Sequence, residues 1–152
     1  MKENSEHQIH RGTVELATFY VGDALCGMDI LNVQEINKLI EMTSVPQAPE
    51  YVMGIINLRG QIVTVIDLGK KLGLSAHELS ESSRNIIVNS RNEHVGLMVS
   101  KISDVVEADL SKVENPPANI GSVQGIFFTG VYKTEDSLIG ILDADRVLID
   151  DV

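Results

Sequence analysis

Only one cysteine, Cys26, occurs in the 152 residues, so no intramolecular disulfide can form and a reducing compartment is the natural setting. It lies in the apolar stretch 24–28, where a thiol serves as a small buried hydrophobe. Long apolar runs are missing as well. No window approaches the roughly 20 apolar residues that a spanning helix needs. The polar N-terminus MKENSEHQIHRG lacks the apolar segment of a signal peptide, so neither membrane insertion nor export is expected. Basic residues are scarce and scattered: 12 Lys and Arg stand against 22 Asp and Glu, a formal charge of −10. Such a surface repels phosphate backbones, which argues against nucleic acid as a partner. The acids near the end of the chain, among them Glu135, Asp136, Asp143, Asp145, Asp150 and Asp151, favour solubility. A protein partner with basic or mixed surface fits this charge better.

Signatures of catalysis are missing too. A phosphate-cradling loop ending at Gly69-Lys70 would need glycine where Thr64 stands, and Ser or Thr where Lys71 stands. The run GSVQG at 121–125 places Ser122 one position early for a nucleophile elbow. His7, His10, His77 and His94 have no metal-ligand spacing, and the first two fall in the polar tail. Asp143 and Asp145 make a D-x-D pair that helix capping explains without a cation. The sequence predicts no enzyme, no cofactor and no metal.

What it does contain is a succession of short apolar stretches punctuated by glycine. Residues 13–21 (TVELATFYV) carry the β-branched and aromatic side chains of a strand, and Gly22-Asp23 leads to a returning strand over 24–29. Ile30, Leu31, Val33 and Ile36 match one face of two helical turns, so a short helical insert is predicted there. Pro46 and Pro49 interrupt the pattern. Residues 55–58 and 61–68 flank Arg59-Gly60 as a hairpin, with Asp67 placed to cap a short helix that Gly73 ends. A loop follows over 74–84, then a hairpin around Arg91-Asn92 and a strand over 102–108. Next come a loop over 115–125, strands over 126–132 and 138–142, and a terminal helix over 143–149 capped by Asp143. Nine or ten short strands with two or three stubby helices predict an all-β fold, as a sandwich or as small barrels. Residues 1–12 are expected to be a disordered tail and 13–152 a single domain.

One residue is out of place. Arg59 is the only charged residue between Glu50 and Asp67. At a hairpin tip its guanidinium offers five donors in a rigid fork suited to carboxylate or carbonyl oxygens. Gly60 beside it relieves the backbone restriction of the turn. A turn arginine can simply stay wet, but loops carry function more often than cores do.

The segment GIINLRG at 54–60 followed by IVTVIDL at 62–68 closely resembles the motif of the CheW family of chemotaxis coupling proteins. Residues 27–36 (GMDILNVQEI), 95–106 (VGLMVSKISDVV) and 128–148 (FTGVYKTEDSLIGILDADRVL) resemble its early segment, its middle strand pair and its closing strand and helix. The resemblance implies two small five-stranded Src-homology-3-like barrels packed on one another as subdomains of one CheW-like domain. It implies a cytoplasmic, non-catalytic adaptor, recruited to membrane-associated arrays, that couples the cytoplasmic tips of chemoreceptors to the histidine kinase CheA through its regulatory domain. A CheW-like adaptor of a specialised array is the alternative. Val33, Glu35, Gly54 and Arg59 fall on positions the family uses for partner contact, with Arg59 and the apolar face near Val33 in the receptor-binding region. Val33 also suits helix-to-sheet packing, Gly54 strand geometry and Glu35 plain exposure. Two departures stand out: Thr64 where many relatives have proline, and Ser100 where many have aspartate.

Overall fold

The computed structural model describes residues 12–38, 40–74 and 79–148. The expected tail over 1–12 therefore falls outside the described residues except for Gly12, whose carbonyl accepts from Leu110 N at 2.8 Å. His7, His10, His77 and Ile149 also fall outside them.

Two five-stranded sheets carry the fold. The first is built from β1 (Thr13–Val21), β2 (Ala24–Asp29), β8 (Lys101–Asp109), β11 (Phe128–Lys133) and β12 (Leu138–Leu142). Its order is β11-β12-β2-β1-β8, and only the β12–β2 pair is parallel. The second uses β3 (Val33–Lys38), β4 (Val52–Leu58), β5 (Gln61–Asp67), β6 (Arg84–Ser90) and β7 (Glu93–Val99) in the order β3-β6-β7-β5-β4, with β5 parallel to β7. The all-β expectation of two five-stranded units holds. A two-stranded ladder, β9 (Asn119–Ile120) and β10 (Val123–Gln124), occupies the stretch expected to be loop, turning at Gly121.

Turn chemistry accounts for the hairpins. Arg91 and Asn92 both have positive φ, 52° and 66°, as the two-residue turn matched to strand twist requires. Arg59 and Gly60 do the same at 50° and 85° between β4 and β5. The two short helices are α1 (Leu68–Lys71) and α2 (Ala144–Leu148). The Asp67 carboxylate accepts from Lys70 N at 3.2 Å to cap α1. Asp143 accepts from Asp145 N at 2.9 Å at the start of α2, the capping expected of it.

The helical insert expected over 30–36 is not formed. A single 3-10 turn, Ile30–Asn32, is capped by Asp29, and Val33 is already extended as the chain enters β3. Four apolar positions in seven residues match a helical face and an alternating strand about equally well. Pairing with β6 decides for the strand, whose residues alternate partly buried and exposed throughout.

Period-2 alternation divides the apolar residues among three clusters. Phe19, Cys26 and Met28 from the first sheet meet Ile86, Val88, Leu97 and Val99 from the second in one shared core. On the opposite face of the same two strands, Ile87 and Met98 pack with Ile56, Val63 and Val65 in a core private to the second sheet. Strands β6 and β7 are thus buried on both faces, which is why they read as near-continuous apolar runs. Leu16, Ala108 and Ile139 form the first sheet's private cluster. Cys26 is fully buried, and burial pushes its thiol up to about 12, so it behaves as a small hydrophobe.

Both departures from the usual pattern find a place in this frame. Thr64 sits mid-ladder, opposite Ile55 on one side and Val95 on the other. The Ser100 hydroxyl accepts from Gly22 N at 3.0 Å, tying the β1–β2 turn to the junction of β7 and β8.

Candidate functional site

Where the two sheets meet, an open groove of about 230 Å³ runs between β1 and β8 on one side and β3 and β6 on the other. Its lining is mainly apolar, from Phe19, Ile30, Val33, Ile36, Ile102 and Val105. Ile36 is 42% exposed and Val105 55% exposed, so this apolar surface is open to solvent. Nearby, Leu31 is 84% exposed on the 3-10 turn. This open apolar surface makes the groove the candidate site for another molecule.

A second, polar groove adjoins it, lined by Gln34, Glu35, Leu58, Arg59, Gln61 and His94. Glu35 lines both grooves and stands on the wall between them. Arg59, carried on the β4–β5 turn, donates from its guanidinium to Glu35 Oε2. Asn37 Nδ2 donates to the other carboxylate oxygen, Oε1, at 3.1 Å. The carboxylate is therefore held at both oxygens. The hydrogen bond from Arg59 is the main reason that the Glu35 carboxyl is held below its ordinary range, and Asn37 adds to it. Glu35 in turn raises the Arg59 guanidinium further. His94 Nδ1 lies 2.8 Å from the Gln61 side-chain amide, within hydrogen-bond distance.

Three of the four expected site residues come together here. Val33 lines the apolar groove, Arg59 the polar one, and Glu35 both. Gly54 lines neither. It is buried in β4 at a register shift, where an added Cβ would lie 2.7 Å from the Thr43 carbonyl oxygen and 3.0 Å from Met42 Cβ. That close approach lets Thr43 and Ile55 exchange backbone hydrogen bonds of 2.9 and 2.8 Å. The glycine thus shapes the strand that leads to Arg59. Ile36, Asn37, Gln61, His94 and Val105 also line or brace these grooves, beyond the residues expected from the sequence. Strand alternation over 33–38 was the available signal for the first two, and the helical reading obscured it. Among the described residues there is no group of three or more His, Cys, Asp or Glu side chains placed to hold a metal ion. Nor is any helix there long and apolar enough to cross a membrane.

Comparison with known proteins decides the lineage. The CheW-like domain family matches residues 15–152. The chain belongs to the CheW family. It is 32% identical over 134 residues to the chemotaxis protein CheW of Bacillus subtilis, covering 88% of this chain and 86% of that one. It is 31% identical over 144 residues to the CheW of Rhizobium meliloti, covering 95% and 93%. In three dimensions it resembles the crystal structure of the scaffolding protein TtCheW from Thermoanaerobacter tengcongensis. There the TM-score is 0.81 and the identity 34%, over 91% of this chain and 89% of that one. This CheW-like domain is thus a member of a chemotaxis scaffold family.

Proposed function

We propose that this CheW-like domain is a non-catalytic adaptor joining the cytoplasmic tips of chemoreceptors to the histidine kinase CheA, with the receptor tip seated in the apolar groove. The observation that carries the reading is the exposed groove of Val33, Ile36 and Val105 with the Arg59–Glu35 pair fixed at its rim. A positive-φ hairpin turn selects Asn, Asp or Gly on backbone grounds. Arg59 at φ 50° and Arg91 at φ 52° both depart from that preference, and what sets Arg59 apart is that its guanidinium is fixed against Glu35 at the groove rim. A receptor tip with apolar side chains toward the groove and a polar group toward Arg59 would match both surfaces. Gly54 contributes by setting the path of β4.

The kinase contacts a different surface, so both partners are held at once and the adaptor works by position, without a cofactor. It acts in the cytoplasm, on arrays that its partners anchor to the membrane. Its effect on kinase activity comes from differential contact with active and inactive arrangements. Placing a charge in the groove tests the seat directly. Ile36→Glu is expected to weaken binding of a receptor-tip fragment by about tenfold or more, as for loss of an apolar anchor. Because Ile36 faces outward from an edge strand, the Tm should move by no more than about 2 °C. Unchanged affinity in calorimetry would remove the receptor from this groove.

A further inference from the structure

Asn37 has a cost that packing does not explain. It lies two residues beyond Glu35 on β3, on the same face, directly opposite Asn85 of β6. Its Nδ2 must face Glu35, because a carboxylate accepts but does not donate. That choice sends Oδ1 inward, where it is buried without a hydrogen-bond partner among the described residues. The Oδ1 of Asn85 beside it is buried and unpartnered as well. A buried carbonyl left unpaired is destabilising, whereas valine in this strand would pack without that loss. What the amide supplies, and valine cannot, is a donor to Glu35. The second sheet also makes room for Asn85. Gly96 faces Asn85, and a Cβ there would lie 2.5 Å from Asn85 Oδ1.

We propose that Asn37 is a positioning residue of the partner-binding surface, holding the Glu35 carboxylate in the orientation from which it fixes Arg59. This rests on the receptor reading above for its consequence, though not for the geometry itself. A glutamate on an edge strand has three rotatable bonds and no reason to keep one rotamer in water. With Oε1 bound to Asn37, Oε2 is presented to the β4–β5 turn, and Arg59 is ordered before a partner arrives. Ordering paid in advance raises affinity without adding a contact to the partner.

The test uses the full chain and two nearly isosteric replacements. Asn37→Val removes the donor; Asn37→Thr keeps the same shape and returns a hydroxyl that can donate. In the free protein, the Glu35 carboxyl is followed by NMR titration. Losing a donor to the charged form makes that form less favourable, so the Glu35 midpoint should rise in Asn37→Val and return most of the way in Asn37→Thr. Affinity for a receptor-tip fragment should fall about fivefold in Asn37→Val, the size of one coupled interaction, with most of it recovered in Asn37→Thr. Placed on an Arg59→Ala background, Asn37→Val should change affinity less than about twofold, because the group it serves is gone.

An unchanged Glu35 titration in Asn37→Val overturns the proposal, as does a threonine variant that behaves like valine in both measurements. If Arg59→Glu leaves receptor binding intact while Asn37→Val still moves the Glu35 titration, the hold on Glu35 stands and the receptor reading fails. If Arg59→Glu abolishes binding while Asn37→Val alters neither measurement, the receptor reading stands and Asn37 has no part in it.

Discussion

Arg59→Glu should lower affinity for a receptor-tip fragment by about thirtyfold or more, the loss expected at a binding hot spot, while the Tm moves by no more than about 2 °C. Two things happen at once in this variant. The five-donor fork at the groove rim disappears, and a second carboxylate is set against Glu35, which it now repels. Fold stability is insulated because Arg59 is a wet residue: its side chain is 71% exposed, against 27% for Glu35. The surrounding turn keeps its own support, with Gly60 N donating to the Asn57 side chain at 2.9 Å. Swapping both charges, Glu35→Arg with Arg59→Glu, would restore attraction but leave a carboxylate on the turn. It should therefore recover little receptor affinity, which separates the identity of the presented group from the mere existence of an ion pair. Normal binding by the single variant would remove Arg59 from the interface.

Phe19→Ala carries the largest expected effect on stability. Phe19 is fully buried in the core shared by the two sheets, in the same cluster as Ile86 and Leu97 of the second. Truncation should cost about 3–5 kcal/mol, a Tm drop of about 10 °C or more for a chain of this length. The distribution of that loss is the informative part. With a shared core, amide hydrogen exchange should accelerate in β6 and β7 as well as in β1 and β2, and unfolding should stay a single transition. If only the first sheet's amides were affected, the sheets would be independent units and the groove between them would have no fixed width.

The local pieces of this fold were legible because they follow from local chemistry. Arg91-Asn92 and Arg59-Gly60 announce hairpins, Asp67 and Asp143 announce caps, and all four form. The pairings that close the sheets were not legible. Strand β12 runs parallel to β2, and β5 to β7, through long connections on which composition is silent. The family resemblance supplied the two five-stranded units that strand counting alone left open between sandwich and barrel. The site was half visible. Arg59 stood out as a lone charge in an apolar segment, but its pairing with Glu35, 24 positions away, depends on where β3 lies beside β6. Reading residues 30–36 as helix hid the alternation that sets Glu35 and Asn37 on one face and Ile36 on the other. Gly54 was legible as a constrained glycine, and the approach of Thr43 is what constrains it.

The proposed function requires one small β protein to hold two partners at once. Co-sedimentation of the kinase with receptor-bearing membranes tests it most directly. With this chain present, the kinase should enter the pellet together with it, and the Arg59→Glu variant should leave both in the supernatant. Competition between kinase and receptor for the chain, or kinase pelleting equally well without it, would contradict the account.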